Sequence, residues 1–144
     1  MRLQLAINVS DLDAAIEFYG KALGAELNKR EPGYANFVLD NPALKLVLFE
    51  SESVSDRLNH LGFEVFDDAQ LDVAAHRLAE AGLEHDVRRD ETCCYATQNK
   101  VWAIDPQGTR WEYYRIIEDS ETFGLGSDFE AKAAPEPTIE RCCG

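Results

Sequence analysis

The stretch Gln4-Leu5-Ala6-Ile7-Asn8-Val9 has a counterpart in the second half of the chain, His60-Leu61-Gly62-Phe63-Glu64-Val65, which repeats its pattern. Both stretches alternate apolar residues with polar or small ones at period two, which predicts two half-buried strands. Capping or acidic residues that favour a helix start, Ser10-Asp11 and Asp67-Asp68, follow the two strands. The repetition predicts two similar modules within one chain.

A helix with one apolar face is predicted after each of these strands. In the first half the face consists of Leu12, Ala15, Ile16, Tyr19 and Leu23, and in the second half of Leu71, Ala74, Ala75, Leu78 and Ala79. Gly24 and Gly82 are expected to end the two helices, since glycine is the usual residue just after a helix. The two helices therefore extend the repeat beyond its first strand.

Further strands are predicted after each helix. They are 25–31, 34–40 and 44–50 in the first half and 84–90, 94–98, 100–105 and 110–117 in the second, where one strand is expected to merge or split. Residues 51–57 form a polar linker. The sequence thus predicts an α+β fold in which modules at about 1–50 and 58–117 form a single domain.

Size and charge narrow the classes of function. The chain has 144 residues and a net charge of -13, which argues against nucleic acid or an anionic membrane as a partner. No apolar run approaches the roughly 20 residues of a membrane span, and the N-terminus does not resemble a secretory signal. We therefore expect a cytoplasmic protein. Residues 118–144 are acidic and lose the apolar pattern, which predicts a disordered tail.

Strand parity brings three candidate metal ligands together. Gln4 and His60 occupy equivalent positions in the two modules, on the face opposite the helices, and Glu112 can join them from the last strand. An amide oxygen, an imidazole and a carboxylate suit a divalent transition metal. Three protein ligands leave coordination positions open, as catalysis requires. We predict a metal site at Gln4, His60 and Glu112.

The four cysteines form two adjacent pairs, Cys93-Cys94 and Cys142-Cys143. Neighbouring cysteines close only a strained disulfide ring, and a reducing cytosol keeps thiols free. Metal or metalloid binding, nucleophilic chemistry and inert packing remain open for them. Thiolate character requires a positive neighbour, for which Lys100, Arg88 and Arg89 are candidates.

The doubled β-α-β-β-β pattern resembles the vicinal oxygen chelate superfamily, which includes glyoxalase, extradiol dioxygenases and bleomycin-resistance proteins. The resemblance covers about residues 1–117 and rests on Asn8-Val9-Ser10-Asp11-Leu12, Asn59-His60-Leu61-Gly62 and Asp105-Pro106-x-Gly108-x-x-Trp111-Glu112. Within the superfamily, the segment from Asp90 to Trp102, with its Cys93-Cys94 pair, is similar to the branch of carbon–arsenic lyases and cadmium-induced proteins.

This resemblance implies an incomplete barrel around a metal site and an iron(II)-dependent dioxygenase that cleaves the carbon–arsenic bond of trivalent organoarsenicals. Fe(II) is the implied cofactor, for which Ni, Co, Mn or Cd could substitute, and dioxygen is the co-substrate. Methylarsenite and trivalent aromatic arsenicals are the implied substrates, and arsenite is the product in arsenic resistance. Gln4 matches the first ligand position of the branch, whereas the fourth ligand position of glyoxalases has only Glu50 nearby, on the helix side by parity.

Trivalent arsenic is soft and prefers soft ligands such as thiolates, which assigns the arsenical to the thiols. We therefore expect Cys93 and Cys94 to bind the arsenical, in a loop between strands that could move. Cys142 and Cys143 are expected to be accessory thiols of the tail. Two alternatives stay open: a thiol-based cadmium or arsenite binding protein without turnover, and a transferase or isomerase of the same superfamily. A homodimer is also left open, since related folds often dimerise.

Overall fold

The computed structural model describes residues 1–124, and the predicted disorder of the tail, with Cys142 and Cys143, lies outside the described residues. The elements in chain order are β1 (Arg2–Val9), α1 (Leu12–Leu23), β2 (Leu27–Glu31), β3 (Tyr34–Asp40), β4 (Ala43–Glu50), β5 (Leu58–Glu64), α2 (Asp68–Glu80), β6 (His85–Cys93), β7 (Ala96–Ile104) and β8 (Arg110–Asp119). Each half therefore has the order βαβββ, which confirms the predicted fold class. The boundary of the domain at residue 117 stays a prediction.

All eight strands form one mixed, curled sheet in the order β2-β3-β4-β1-β5-β8-β7-β6. The first strands of the two modules, β1 and β5, pair antiparallel at the centre. Each also pairs in parallel with the last strand of its own module, β1 with β4 and β5 with β8. This arrangement gives the sheet a pseudo-two-fold axis between β1 and β5. Residues at equivalent positions of the two modules therefore meet at the centre.

Both helices begin where the sequence predicts. The Asp11 carboxylate accepts the amide of Ala14 at 2.9 Å, and the Asp67 carboxylate accepts the amide of Gln70 at 2.8 Å. These contacts satisfy amides that lack a partner within the helix. The first helix ends at Gly24, whose left-handed backbone is unstrained only in glycine. No helix among residues 1–124 combines the length and apolar character needed to cross a membrane.

Most of the apolar core lies between the two helices and the face of the sheet that they cover. Under α1, Leu5 and Ile7 pack against a cluster that includes Phe37 and Leu48, and under α2, Val65, Leu71 and Val101 form a second cluster. Because alternate side chains of a strand point to opposite faces, the residues between them face the hollow of the curled sheet. That hollow holds a third cluster with Ala6, Tyr34, Val47 and Tyr95.

The second module differs from the prediction at two places. The predicted strands 94–98 and 100–105 are one strand, β7, and the polar run Gln98-Asn99-Lys100 lies within it, fully paired with β8. These polar residues are buried because they have partners: Asn99, for example, donates to Asp68 at 2.9 Å and accepts the amide of Asp90. A buried polar run can therefore continue a strand that a hydropathy pattern would end.

The second difference concerns the cysteine pair, which was expected in a loop. Cys93 is the last residue of β6, and Cys94 and Tyr95 are the two residues of a tight turn into β7. Both turn residues have positive φ, 56° and 61°, as a type I′ hairpin requires. The Tyr95 carbonyl fixes the turn by accepting from Lys29 at 2.8 Å and from the Ser120 amide at 2.9 Å.

Candidate functional site

Gln4, His60 and Glu112 converge in the hollow of the sheet, from three adjacent strands. The Gln4 Nε2 atom lies 2.9 Å from His60 Nε2 and 3.2 Å from Glu112 Oε2, and the last two atoms are 3.2 Å apart. All three side chains are buried, at 4 to 6% exposure. The amide NH2 group donates to both partners, so a half-turn of the amide brings its oxygen to the same point.

This triangle fits a divalent cation. Metal–ligand bonds of about 2.1 Å at right angles separate neighbouring donor atoms by about 3.0 Å, close to the three distances observed. Among residues 1–124 no three His, Cys, Asp or Glu side chains form a metal-binding group by themselves. The Gln4 amide is therefore needed to complete a set of three donors.

A chain of hydrogen bonds fixes the tautomer of His60. The Arg110 guanidinium, which can only donate, gives a hydrogen bond of 2.8 Å to Asn59 Oδ1. The same oxygen lies 2.7 Å from His60 Nδ1, so that ring nitrogen must carry the proton. Asn59 is itself held by Asn8, through a bond of 2.9 Å. His60 Nε2 is thereby left with its lone pair directed at the triangle, as a metal ligand requires.

Lys100 provides the positive charge beside the triangle. Its ammonium, only 2% exposed, lies 3.1 Å from Glu112 Oε1 and 3.4 Å from Glu91 Oε2. Burial opposes ionisation of Glu112, but the charge of Lys100 and the contact with His60 hold its pKa at about 2. Burial lowers the pKa of Lys100, whereas Glu112, Cys93 and Glu91 together raise it above its ordinary value. Both groups therefore remain charged at neutral pH.

The thiols of Cys93 and Cys94 line the same cavity, with their sulfur atoms 3.1 Å apart. The hydrogen bond from Cys94 and the charge of Lys100 lower the pKa of Cys93 despite its burial. That same hydrogen bond and burial raise the pKa of Cys94. Cys93 is therefore the more acidic thiol of the pair, and Cys94 the one that keeps its proton. Left-handed backbone costs a residue other than glycine about 1–2 kcal/mol, so the turn at Cys94 is a strained position of the kind found at functional sites.

The cavity that contains both groups measures about 360 Å³. Aromatic side chains form much of its wall: Tyr34, Phe49, Trp102 and Phe123. Trp102 and Phe49 also flank the His60 ring, at 5.1 and 6.3 Å between ring centroids, and so restrict its rotation. The Trp102 indole N–H is buried without a hydrogen-bond partner in the described chain. The wall thus offers apolar area together with an unused donor.

The remaining candidate residues of the sequence do not reach the triangle. Glu50 Oε1 accepts the Leu12 amide at 3.0 Å and so stabilises the start of α1. The position equivalent to Glu112 in the first module is Val47, since Ala6 pairs with Val47 as Gly62 pairs with Glu112. Arg88 is paired with Asp86 and Glu91, and Arg89 with Asp72.

Three contributors were not predicted from the sequence: Asn59, Gly62 and Lys45. Asn59 precedes a candidate histidine ligand, which is a usable signal for a residue that orients its ring. Lys45 interrupts the apolar run Leu44–Leu48, another signal that a strand faces a polar hollow. The importance of Gly62 could not be predicted without the register of the sheet, because it depends on which atoms of the neighbouring strand lie opposite this residue.

Gly62→Ala is expected to destabilise the fold and weaken metal binding. A Cβ atom at Gly62 would lie 2.8 Å from the Glu112 carbonyl oxygen and 3.6 Å from Gln4 Nε2, so β5 and β8 must separate. We expect a loss of about 1–3 kcal/mol in the free energy of unfolding, measured by urea denaturation, and a weaker affinity for Co²⁺. Gly20→Ala, where the nearest atom is 3.6 Å away, is the matched control. Wild-type stability in Gly62→Ala would disprove the close approach.

Comparison with protein families matches residues 3–113 to the Glyoxalase/Bleomycin resistance protein/Dioxygenase superfamily. The Cadmium-induced protein CadI of Mycobacterium tuberculosis is 48% identical over 142 residues, covering 99% of this chain and 92% of CadI. A protein of Thermomonospora curvata named Trivalent organoarsenical cleaving enzyme is 48% identical over 128 residues, 88% of this chain and 85% of that protein.

Solved structures with the same fold include a catechol 2,3-dioxygenase, with a TM-score of 0.62 and 23% identity over 86% of this chain and 44% of that one. A methylmalonyl-CoA epimerase from Mycobacterium tuberculosis matches with a TM-score of 0.58 and 24% identity, covering 78% of this chain and 85% of the epimerase. At such identities these two structures establish the fold only.

Proposed function

The chain belongs to the glyoxalase/bleomycin resistance protein/dioxygenase superfamily, and on that premise we propose that it cleaves the carbon–arsenic bond of trivalent organoarsenicals. Fe(II) is the proposed cofactor, and dioxygen is the proposed co-substrate. One observation carries it: a three-donor N/O triangle and a pair of adjacent thiols share one buried cavity. A hard N/O site beside a soft sulfur site suits a reaction between a metal-dependent oxidant and a thiophilic substrate.

Cys93 and Cys94 bind the arsenical. Methylarsenite has two hydroxyl groups on arsenic, and each thiol replaces one of them with release of one water, so that two As–S bonds form and the As–C bond stays intact. Cys93, the more acidic of the two thiols, is the nucleophile of the first exchange. The Cys94 sulfur, 3.1 Å away, is placed for the second. The exchange needs no oxidant or reductant.

Gln4, His60 and Glu112 are the proposed ligands of Fe(II), which when bound supplies the redox chemistry by which dioxygen is used. Histidine, carboxylate and amide donors on one face match the 2-His-1-carboxylate pattern with one histidine replaced by glutamine. Asn59 keeps His60 in the tautomer with a free Nε2, and Lys100 keeps Glu112 ionised through its second oxygen. Trp102 and Phe49 exclude water from the histidine ring.

For methylarsenite the overall reaction balances with one dioxygen. CH3As(OH)2 and O2 give formaldehyde and arsenous acid, As(OH)3, so the As–C bond breaks and the carbon is oxidised while dioxygen accepts four electrons. No further reductant is needed. Lys100, whose ammonium lies 3.1 Å from Glu112 Oε1, can hold or return a proton beside the triangle.

The test follows oxygen and arsenic together. Protein loaded with Fe(II) is mixed with methylarsenite, oxygen consumption is recorded with an electrode, and arsenite is separated from methylarsenite by chromatography. We expect one arsenite per dioxygen consumed, and no arsenite under argon. Arsenite formed equally well without oxygen or without iron would contradict the proposal.

A thiol-based metal-binding protein without turnover is the second candidate. It is favoured by the thiol pair itself and by the relative that is named for its induction by cadmium. The same experiment distinguishes the two candidates, because tight binding of Cd²⁺ or arsenite with no loss of methyl from arsenic would support the second one alone.

A further inference from the structure

Lys45 is a buried cation that has no counter-ion among residues 1–124. It lies on β4 with its side chain in the cavity and is 7% exposed. Its ammonium lies 5.3 Å from the centre of the Tyr114 ring, and within residues 1–124 it makes no hydrogen bond or ion pair. A buried ammonium has three N–H donors to satisfy, and leaving them without acceptors is costly.

The carboxylates nearest to Lys45 are already paired with other cations. Glu64 binds Arg2 at 3.1 Å, and Glu112 binds Lys100 at 3.1 Å. The charges of both carboxylates favour the ammonium form of Lys45, but burial has the larger effect and lowers its pKa. Within the described part of the cavity, the charge of Lys45 therefore lacks a direct partner.

Tyr114 adds a second unused donor beside Lys45. Its hydroxyl is buried with no hydrogen-bond partner among the described residues, although the residue is only 2% exposed. The ammonium lies over the ring that carries this hydroxyl, and neither donor has an acceptor among the described residues, although buried polar groups are usually satisfied. The chemistry that would satisfy both is an oxygen acceptor with a negative charge.

We propose that Lys45 and Tyr114 form a subsite for a carboxylate on the organic group of the arsenical, remote from arsenic. This inference rests on the proposed function, because it places arsenic at Cys93 and Cys94. The cavity of about 360 Å³ has room for a benzene ring, since an apolar cavity of about 150 Å³ holds benzene. The subsite selects arylarsenites with an acidic substituent, against the repulsion expected from a chain with a net charge of -13.

The experiment measures binding, not turnover. Dissociation constants of phenylarsenite and 4-carboxyphenylarsenite are measured by calorimetry under argon, without iron, in a Cys142→Ser/Cys143→Ser background. In that background Cys93 and Cys94 are the only thiols of the chain. The ratio of the two constants reports the contribution of the carboxylate alone, since both compounds share the same thiol exchange.

We expect the chain with Lys45 to prefer the carboxylated compound, and Lys45→Met to reduce that preference at least tenfold, about 1.4 kcal/mol. Tyr114→Phe keeps the ring under the ammonium, removes only the hydroxyl, and should reduce the preference about threefold. If Lys45→Met does not fold, Tyr114→Phe alone tests the subsite. Lys21→Met, which removes an equal charge from an exposed site of α1, should leave the ratio unchanged.

A ratio that stays within twofold of the starting protein in both Lys45→Met and Tyr114→Phe would overturn the subsite, as would a starting protein that binds phenylarsenite as tightly as 4-carboxyphenylarsenite. Failure of the proposed function gives a different result, namely no arsenite from methylarsenite with iron and oxygen, whatever the ratio of the two dissociation constants.

Discussion

His60→Ala should abolish turnover and reduce Fe(II) affinity by more than about 100-fold. Loss of a residue that only orients a ligand already costs about 10- to 100-fold in metal affinity, and here a ligand itself is removed. The change also leaves Gln4 and Glu112 without their common neighbour, since His60 Nε2 lies 2.9 and 3.2 Å from them. Calorimetric titration with Fe(II) under argon measures the affinity.

His76→Ala is the matched control for His60→Ala. His76 lies on α2, its side chain is 72% exposed, and it contacts Glu80 one turn away. Its replacement should leave Fe(II) affinity and arsenite production within twofold of the wild type. If His60→Ala bound Fe(II) as tightly as His76→Ala, the triangle would not be the metal site.

Cys93→Ser and Cys94→Ser should each spare the metal and reduce methylarsenite affinity by more than about 100-fold. A serine hydroxyl keeps the size of the side chain but offers a hard oxygen, which soft arsenic binds poorly. Only one As–S bond can then form, and the chelate is lost. Fe(II) affinity should stay within twofold, because neither sulfur belongs to the triangle of donors.

The tail pair provides the internal control for the thiols. The Cys142→Ser/Cys143→Ser double variant should bind one methylarsenite and release arsenite at a rate close to that of the wild type. Calorimetric stoichiometry and chromatography of the arsenic species measure the two quantities. An essential tail pair combined with dispensable Cys93 and Cys94 would reverse our assignment of substrate thiols.

Divergence of the two modules explains why the fold brings together one candidate triad instead of two. Gln4 and His60 are equivalent positions and meet across the central β1–β5 pair. The position of Glu112 is taken by Val47 in the first module, and Gly62 corresponds to Ala6. The first module thus contributes one donor of the triangle, Gln4, and Val47 in place of a second carboxylate. The pseudo-symmetric fold brings equivalent positions together. Because their side chains differ, two of the three donors come from the second module and one from the first.

Strand parity made the triad predictable from the sequence. A period of two fixes the face of each side chain once the strand is recognised, so Gln4, His60 and Glu112 could be assigned to one face without coordinates. The repeat then indicated that the first two are equivalent. Their convergence follows from the antiparallel pairing of β1 with β5, which a duplicated module readily forms.

Contacts between strands that are far apart in the sequence could not be predicted from strand parity. The sequence named Lys100 as a candidate, but its contact with Glu112 depends on the register between β7 and β8, and a one-residue slip would reverse its face. The tight turn at Cys94 and Tyr95 was missed because its sequence lacks the Asn-Gly or Gly residues typical of that turn. Local pattern does not reveal a strained turn that tertiary contacts hold in place.

The most direct measurement is a crystal structure of the protein loaded with Co²⁺ or Fe²⁺, with anomalous diffraction recorded at the absorption edge of the metal. We expect a single strong peak inside the curled sheet, bound by Gln4 Oε1, His60 Nε2 and a Glu112 oxygen, with both Cys93 and Cys94 sulfurs unbound. A peak held by the sulfurs instead, with the three side chains uninvolved, would contradict it.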